Sequence, residues 1–153
     1  MDAHETGAWN APGRIEDYSR IEHLKMIQAI IARLAQNSFI LKGWSVTLAT
    51  GLLAVALKDK DIYAILAFFP TLVLWGLDAY YLMQERLFRQ LHDSVARQSG
   101  FPATPYSMSI DGRALTGYGQ TALWLKACIA PTVAGLHGAV LFVVCIVLAA
   151  LKG

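Results

Sequence analysis

Three stretches of this chain are so long and so apolar that only helices buried in protein or lipid can accommodate them. Phe39 to Leu57 runs 19 residues broken only by Lys42, Ile62 to Met83 runs 22 broken only by Asp78, and Ala127 to Leu151 runs 25 with no formal charge. A hydrocarbon layer about 30 Å thick takes roughly 20 helical residues to cross, so each stretch is long enough to span it. A soluble bundle is the alternative, but helices buried in soluble cores seldom stay apolar on every side for this length. With 56% hydrophobic and 16% charged residues in 153, the expected class is all-α: an integral membrane protein with three transmembrane helices.

Lysine and arginine orient those spans. Arg14, Arg20, Lys25 and Arg33 precede the first and Lys42 lies near its start, five lie between the second and third (Arg86, Arg89, Arg97, Arg113, Lys126), and the first loop has only Lys58 and Lys60. The positive-inside rule then expects a cytoplasmic N-terminus and an external C-terminus in a bacterial inner membrane. Residues 1–14 are polar, resemble no signal peptide, and are expected to be disordered, leaving the first span to direct insertion. A net charge of +2 is too small to indicate a nucleic-acid duplex as partner. Cys128 and Cys145 are 17 residues apart in one span, about 25 Å along a helix, too far to pair within the chain. They form no cluster with histidines, so neither a metal nor a cofactor is expected.

From Ile15, the apolar residues Tyr18, Ile21, Leu24, Ile27, Ile31 and Leu34 recur every three or four positions, the period of an amphipathic helix. Nothing breaks it before Gly43, so one helix is expected to run from the cytoplasm into the first span. Beyond Met83, Leu87, Phe88, Leu91 and Val95 share a side, and the second span is expected to continue as a helix as well. Residues 15–98 therefore form a hairpin longer than the bilayer, with two cytoplasmic arms. Their apolar stripes need a partner in water, which is either the other arm or a second copy. Residues 99–126, with Pro102, Pro105, Gly100, Gly112, Gly117 and Gly119, are expected to be a cytoplasmic loop before the third span at 127–151. The glycines at 112, 117 and 119 lack the Lys-Ser/Thr pair of a phosphate loop.

A carboxylate in hydrocarbon is costly unless paired, hydrated or protonated, which makes Asp78 the most informative single residue. If the hairpin turns about residues 59 and 60, opposed positions sum to about 119, and Asp78 falls beside Leu41 and Lys42. A Lys42–Asp78 ion pair is expected to set the register. The alternatives are separate snorkelling to the headgroups and a wet vestibule lined by Asp78. His137 either hydrogen-bonds a neighbouring helix or, with Thr132, lines a pore. Gly43, Thr47 and Gly51 in the first span, and Ala130, Ala134, Gly135, Gly138 and Ala139 in the third, are small residues suited to close helix contact. Arg86, Arg89, Arg97 and Arg113 are candidates to hold an anionic ligand, although topology alone also explains their placement.

No Ser/His/Asp set, HExxH, nucleotide fingerprint or paired carboxylates within one segment occurs, so an enzyme is not expected. Three spans enclose little on their own, and the leading expectation is an oligomeric channel or pore whose arms sense a signal. The alternatives are a non-conducting anchor or adaptor that recruits a soluble partner, and a small proton-coupled exporter using Asp78. The helix leading through Asn37-Ser38-Phe39 and Lys42-Gly43-Trp44 into a tight hairpin, then out through Trp75-Gly-Leu-Asp78-Ala-Tyr-Tyr and Gln84-Glu-Arg-Leu-Phe-Arg89, resembles the bacterial SLATT-type effectors. The resemblance is architectural and covers residues 15–98. It implies a small membrane effector of nucleotide-signalling antiphage defence that perforates or depolarises the membrane, with a nucleotide messenger or a soluble regulatory protein as partner. The third span departs from that family's two-helix plan, and the resemblance assigns no active residue.

Overall fold

The computed structural model describes residues 12–58, 62–97, 107–110 and 116–152. Among them every regular element is a helix: α1 (Pro12–Ala56), α2 (Ile62–Leu66), α3 (Phe68–Arg97), α4 (Gln120–Cys128) and α5 (Pro131–Lys152). Three helical segments, Asp17–Ala56, Tyr63–Arg97 and Pro131–Leu151, are long and apolar enough to cross a membrane. At 1.5 Å per residue, the 45 residues of α1 extend about 67 Å and the 30 of α3 about 45 Å. Both exceed the hydrocarbon thickness, so each has an arm beyond its apolar part.

The second span is not the single helix that its apolar run suggests. It breaks at Ala67, between α2 and α3. Pro70 supplies the reason: it has no N–H for the carbonyl of Leu66, and its ring crowds that carbonyl. Thr71 caps the break from the following turn, its hydroxyl donating to the Ala67 carbonyl at 2.8 Å.

The segment before the third span also differs from expectation. Residues 120–126, expected as loop, are helical in α4, and α5 begins at Pro131 rather than at residue 127. Proline is favoured in the first turn of a helix and cannot continue a preceding one, so Pro131 separates α4 from α5. The turn into α4 passes through Gly117 at φ +75°, a left-handed conformation that glycine adopts without a Cβ clash.

Three apolar clusters stack along the molecule. Near the hairpin turn, Leu53 and Ala56 of α1 meet Ala64, Ala67 and Val144. In the middle, Ala79, Met83 and Leu87 of α3 meet Ala127 of α4 and Val133 of α5. On the arms, Ile27 of α1 packs with Leu91 and Val95 of α3, supported by Leu24, Ile31 and Phe88. The apolar stripes of the arms thus cover each other within one chain from Leu24 to Ile31, whereas Tyr18 and Ile21 remain exposed. Residues 107–110 join them, with Met108 and Ile110 against the same cluster and the Ser107 carbonyl 3.2 Å from His23 Nε2. Large apolar side chains such as Phe39, Phe69, Ile129 and Phe142 face outward around the apolar segments, as lipid-facing surfaces do.

Candidate functional site: a buried polar clasp across three helices

On α1, Ser38, Lys42 and Ser45 are spaced four and three residues apart, which puts them on one helix face. That face meets Asp78 of α3 and His137 of α5. Asp78 is fully buried, and so is His137. Lys42 Nζ lies 2.7 Å from each carboxylate oxygen of Asp78, and its side chain keeps 20% exposure. Ser38 donates its hydroxyl to Asp78 Oδ1 and accepts from Lys42 Nζ at 2.7 Å.

The other carboxylate oxygen faces His137, whose Nε2 is 3.3 Å from Asp78 Oδ2. A carboxylate has no proton to give, so Nε2 carries the hydrogen and donates it. In the neutral ring Nδ1 is then the acceptor, and the Ser45 hydroxyl donates to it at 3.1 Å. The aspartate thus gathers donors from Ser38, Lys42 and His137, one of them cationic. That arrangement meets the condition on which a buried charge is tolerated: pairing plus hydrogen bonds to its remaining lone pairs.

Two tryptophans fix the ring and the helix ends around it. Trp75, one turn before Asp78 on α3, stacks on His137 with centroids 6.0 Å apart and planes at 11°. Its indole Nε1 donates to the Cys128 carbonyl at 3.0 Å, a carbonyl exposed by the break between α4 and α5. Trp124 of α4 donates to the Gly76 carbonyl at 3.0 Å. The break forced by Pro131 is therefore tied back to α3 through two indoles, and α5 is held so that His137, six residues into it, reaches Asp78.

The structure sorts the candidate residues into groups. Lys42 and Asp78 come together, and Asp78 lines no vestibule. His137 lies wholly inside the protomer, hydrogen-bonded to α1 and α3 as the first of its two expected roles has it, and does not reach the outer surface along which a pathway between copies would run. Thr132 does lie on that surface. Of the small residues, Ala130 is buried and Ala134 and Gly138 are half-buried, whereas Gly43, Thr47, Gly51, Gly135 and Ala139 face outward. A Cβ added at Gly43, Gly51 or Gly135 would meet nothing within 4 Å. The described arginines do not converge. Arg86 lines a groove with Lys126, Arg89 is bonded to Glu85 at 2.6 Å, and Arg97 borders a separate groove with Asp93 and Ser94. Arg113 lies outside the described residues.

Ser38, Ser45, Trp75 and Trp124 were not among the residues expected to form the site. Signals for three of them are in the sequence: the serines share the Lys42 face, and Trp75 sits three residues from Asp78. Trp124 has none, because the sequence predicts a loop over 99–126. Among the described residues no group of three or more histidines, cysteines or carboxylates is arranged to hold a metal. Comparison with protein families, with curated proteins and with solved structures gives no match for this chain.

Proposed function

We propose that the chain is a pore-forming or channel-type effector of a bacterial inner membrane that conducts only as an assembly of copies. The observation that carries this reading is the outer face of α1. Gly43, Thr47, Thr50 and Gly51 lie there exposed, opposite the face that holds Asp78, and together they form a small, hydroxyl-bearing strip on a surface that is otherwise bulky and apolar. Small strips of this kind let helices of neighbouring copies approach closely in lipid. Thr47 and Thr50 donate to carbonyls of the preceding turn, at 2.9 Å to Gly43 and 2.8 Å to Val46, so they tolerate lipid yet offer oxygens to an aqueous path.

The charged groups of the spans favour the same reading by elimination. Asp78 has all its donors inside one protomer, which leaves no open position for the coupling role of an exporter. A path must then run between copies, past α1 and Thr132 of α5. The arms, lying in the cytoplasm by the lysine and arginine bias, are where a signal would act. The resemblance to SLATT-type effectors suggests a nucleotide-linked antiphage signal for that step.

A second reading rests on a different observation. The arms are packed on each other and on residues 107–110, which makes a stiff rod suited to an anchor or adaptor that recruits a soluble partner. Ion flux from liposomes, paired with the native mass of the detergent-solubilised protein, separates the two. The channel reading expects an oligomer that passes ions and a large change in flux for Thr47→Val or Gly51→Leu. An oligomer that never passes ions would sink it in favour of the anchor.

A further inference from the structure

Beyond the clasp, α3 and α4 enclose a groove of about 360 Å³. Its lining carries two cations, Arg86 and Lys126, with Gln90, Thr116 and Tyr118 as neutral hydrogen-bonding neighbours, over a floor of Met83, Leu87 and Leu123. Among the described residues no carboxylate lines it. The nearest acids on α3 are committed elsewhere: Glu85 is bonded to Arg89, and Asp93 borders other grooves. Lys126 Nζ stands 3.4 Å from the centre of the Tyr118 ring, so an aromatic face rather than an acid holds the ammonium in place. Two positive charges thus face one cavity with no counter-charge among the described residues, an arrangement that an entering anion stabilises.

The position of the groove narrows the anion. Arg86 is eight residues from Asp78, about 12 Å further along α3 towards the arms, where the apolar part of the helix has ended. The neighbouring Leu125 of α4 and Ile129 just after that helix are large, apolar and exposed. A charged pocket with an apolar floor, opening beside a lipid-facing surface, matches an amphiphile whose phosphate lies at the membrane boundary. We infer that the Arg86–Lys126 groove binds a phosphate group, with an anionic phospholipid headgroup and free phosphate as its two sources. The cations provide charge and N–H donors, Gln90 and Tyr118 add neutral donors, and Met83, Leu87 and Leu123 exclude water from one side. This inference does not depend on conduction.

The test is native mass spectrometry of the full chain in a mild detergent, titrated with phosphatidylglycerol, with phosphatidylcholine and separately with inorganic phosphate. Wild-type protein should retain phosphatidylglycerol about tenfold or more over phosphatidylcholine, because the choline cation competes with the two side chains. Arg86→Gln and Lys126→Gln should each weaken retention about fivefold, while Lys25→Gln, a charge change on the exposed arm, leaves it unchanged. Competition by millimolar phosphate, with stabilisation of lipid-free protein, assigns the site to free phosphate. Retention that phosphate cannot displace assigns it to the lipid. Equal retention of the two lipids with no effect of phosphate overturns the inference, as does a loss no greater in Arg86→Gln and Lys126→Gln than in Lys25→Gln. Should either variant fail to fold, the lipid preference and phosphate response of the wild type decide the matter.

Discussion

Among the described residues, two lysine–carboxylate pairs of the same length stand in two different settings. Lys25 and Glu22 on the arm meet at 2.7 Å with more than half of each side chain exposed, and Lys42 and Asp78 in the spans meet at 2.7 Å with the aspartate wholly buried. Distance alone would rank them equal. On the arm, water solvates each partner when the other is removed, and such exposed pairs contribute about 0.2–1 kcal/mol. In the spans, removing Lys42 strands the fully buried Asp78 without its cation, at about 3–5 kcal/mol. Burial, and the number of further donors on the carboxylate, therefore decides which pair shapes the molecule. The arm gains its order from Ile27, Leu91 and Val95, and the spans gain theirs from the clasp.

The largest effect should follow Asp78→Ala or Lys42→Met, each losing about 3–5 kcal/mol against chemical unfolding in detergent. A loss below about 1 kcal/mol would mean that water enters the site and that the two settings are alike. Next comes His137→Phe, which retains a ring for Trp75 to stack on but removes a donor to Asp78 and an acceptor for Ser45. About 2 kcal/mol is expected by the same unfolding measurement, with most of it absent when Asp78 has already been replaced. Gly117→Ala should cost about 1–2 kcal/mol, since an L side chain is strained at φ +75°. Smallest is Lys25→Ala, expected within about 0.5 kcal/mol of wild type, and it would shrink further as salt is raised.

Much of the architecture is legible in the residues because hydrophobic length is a strong signal. The three apolar runs carry the three long helices, and the residue-sum rule about the turn puts Asp78 within reach of Lys42, whose Nζ lies 2.7 Å away. That rule works because α1 and the helix opposite it rise at the same rate per residue. The breaks were less visible. Pro70 and Pro131 mark the ends of α2 and α4, but proline occurs often enough within membrane helices that a long apolar run outweighs it. The third member of the clasp was hidden for a different reason: no local rule pairs α5 with the hairpin. His137 reaches Asp78 only because α4 folds back on α3 through Trp75 and Trp124, a set of contacts 48 and 53 residues apart in sequence. The outward strip of α1 was visible as small residues, but which way it faced depended on where Ser38, Lys42 and Ser45 point.

The claim that one protomer neutralises its own membrane charges is tested most directly by a double-mutant cycle on Lys42 and Asp78, using Lys42→Met, Asp78→Leu and the pair together. Internal pairing predicts that the double variant unfolds far less readily than the sum of the single losses implies, with a coupling of about 2–3 kcal/mol. Losses that add to within about 0.5 kcal/mol would show that the two residues are solvated separately and that the clasp does not hold the three helices.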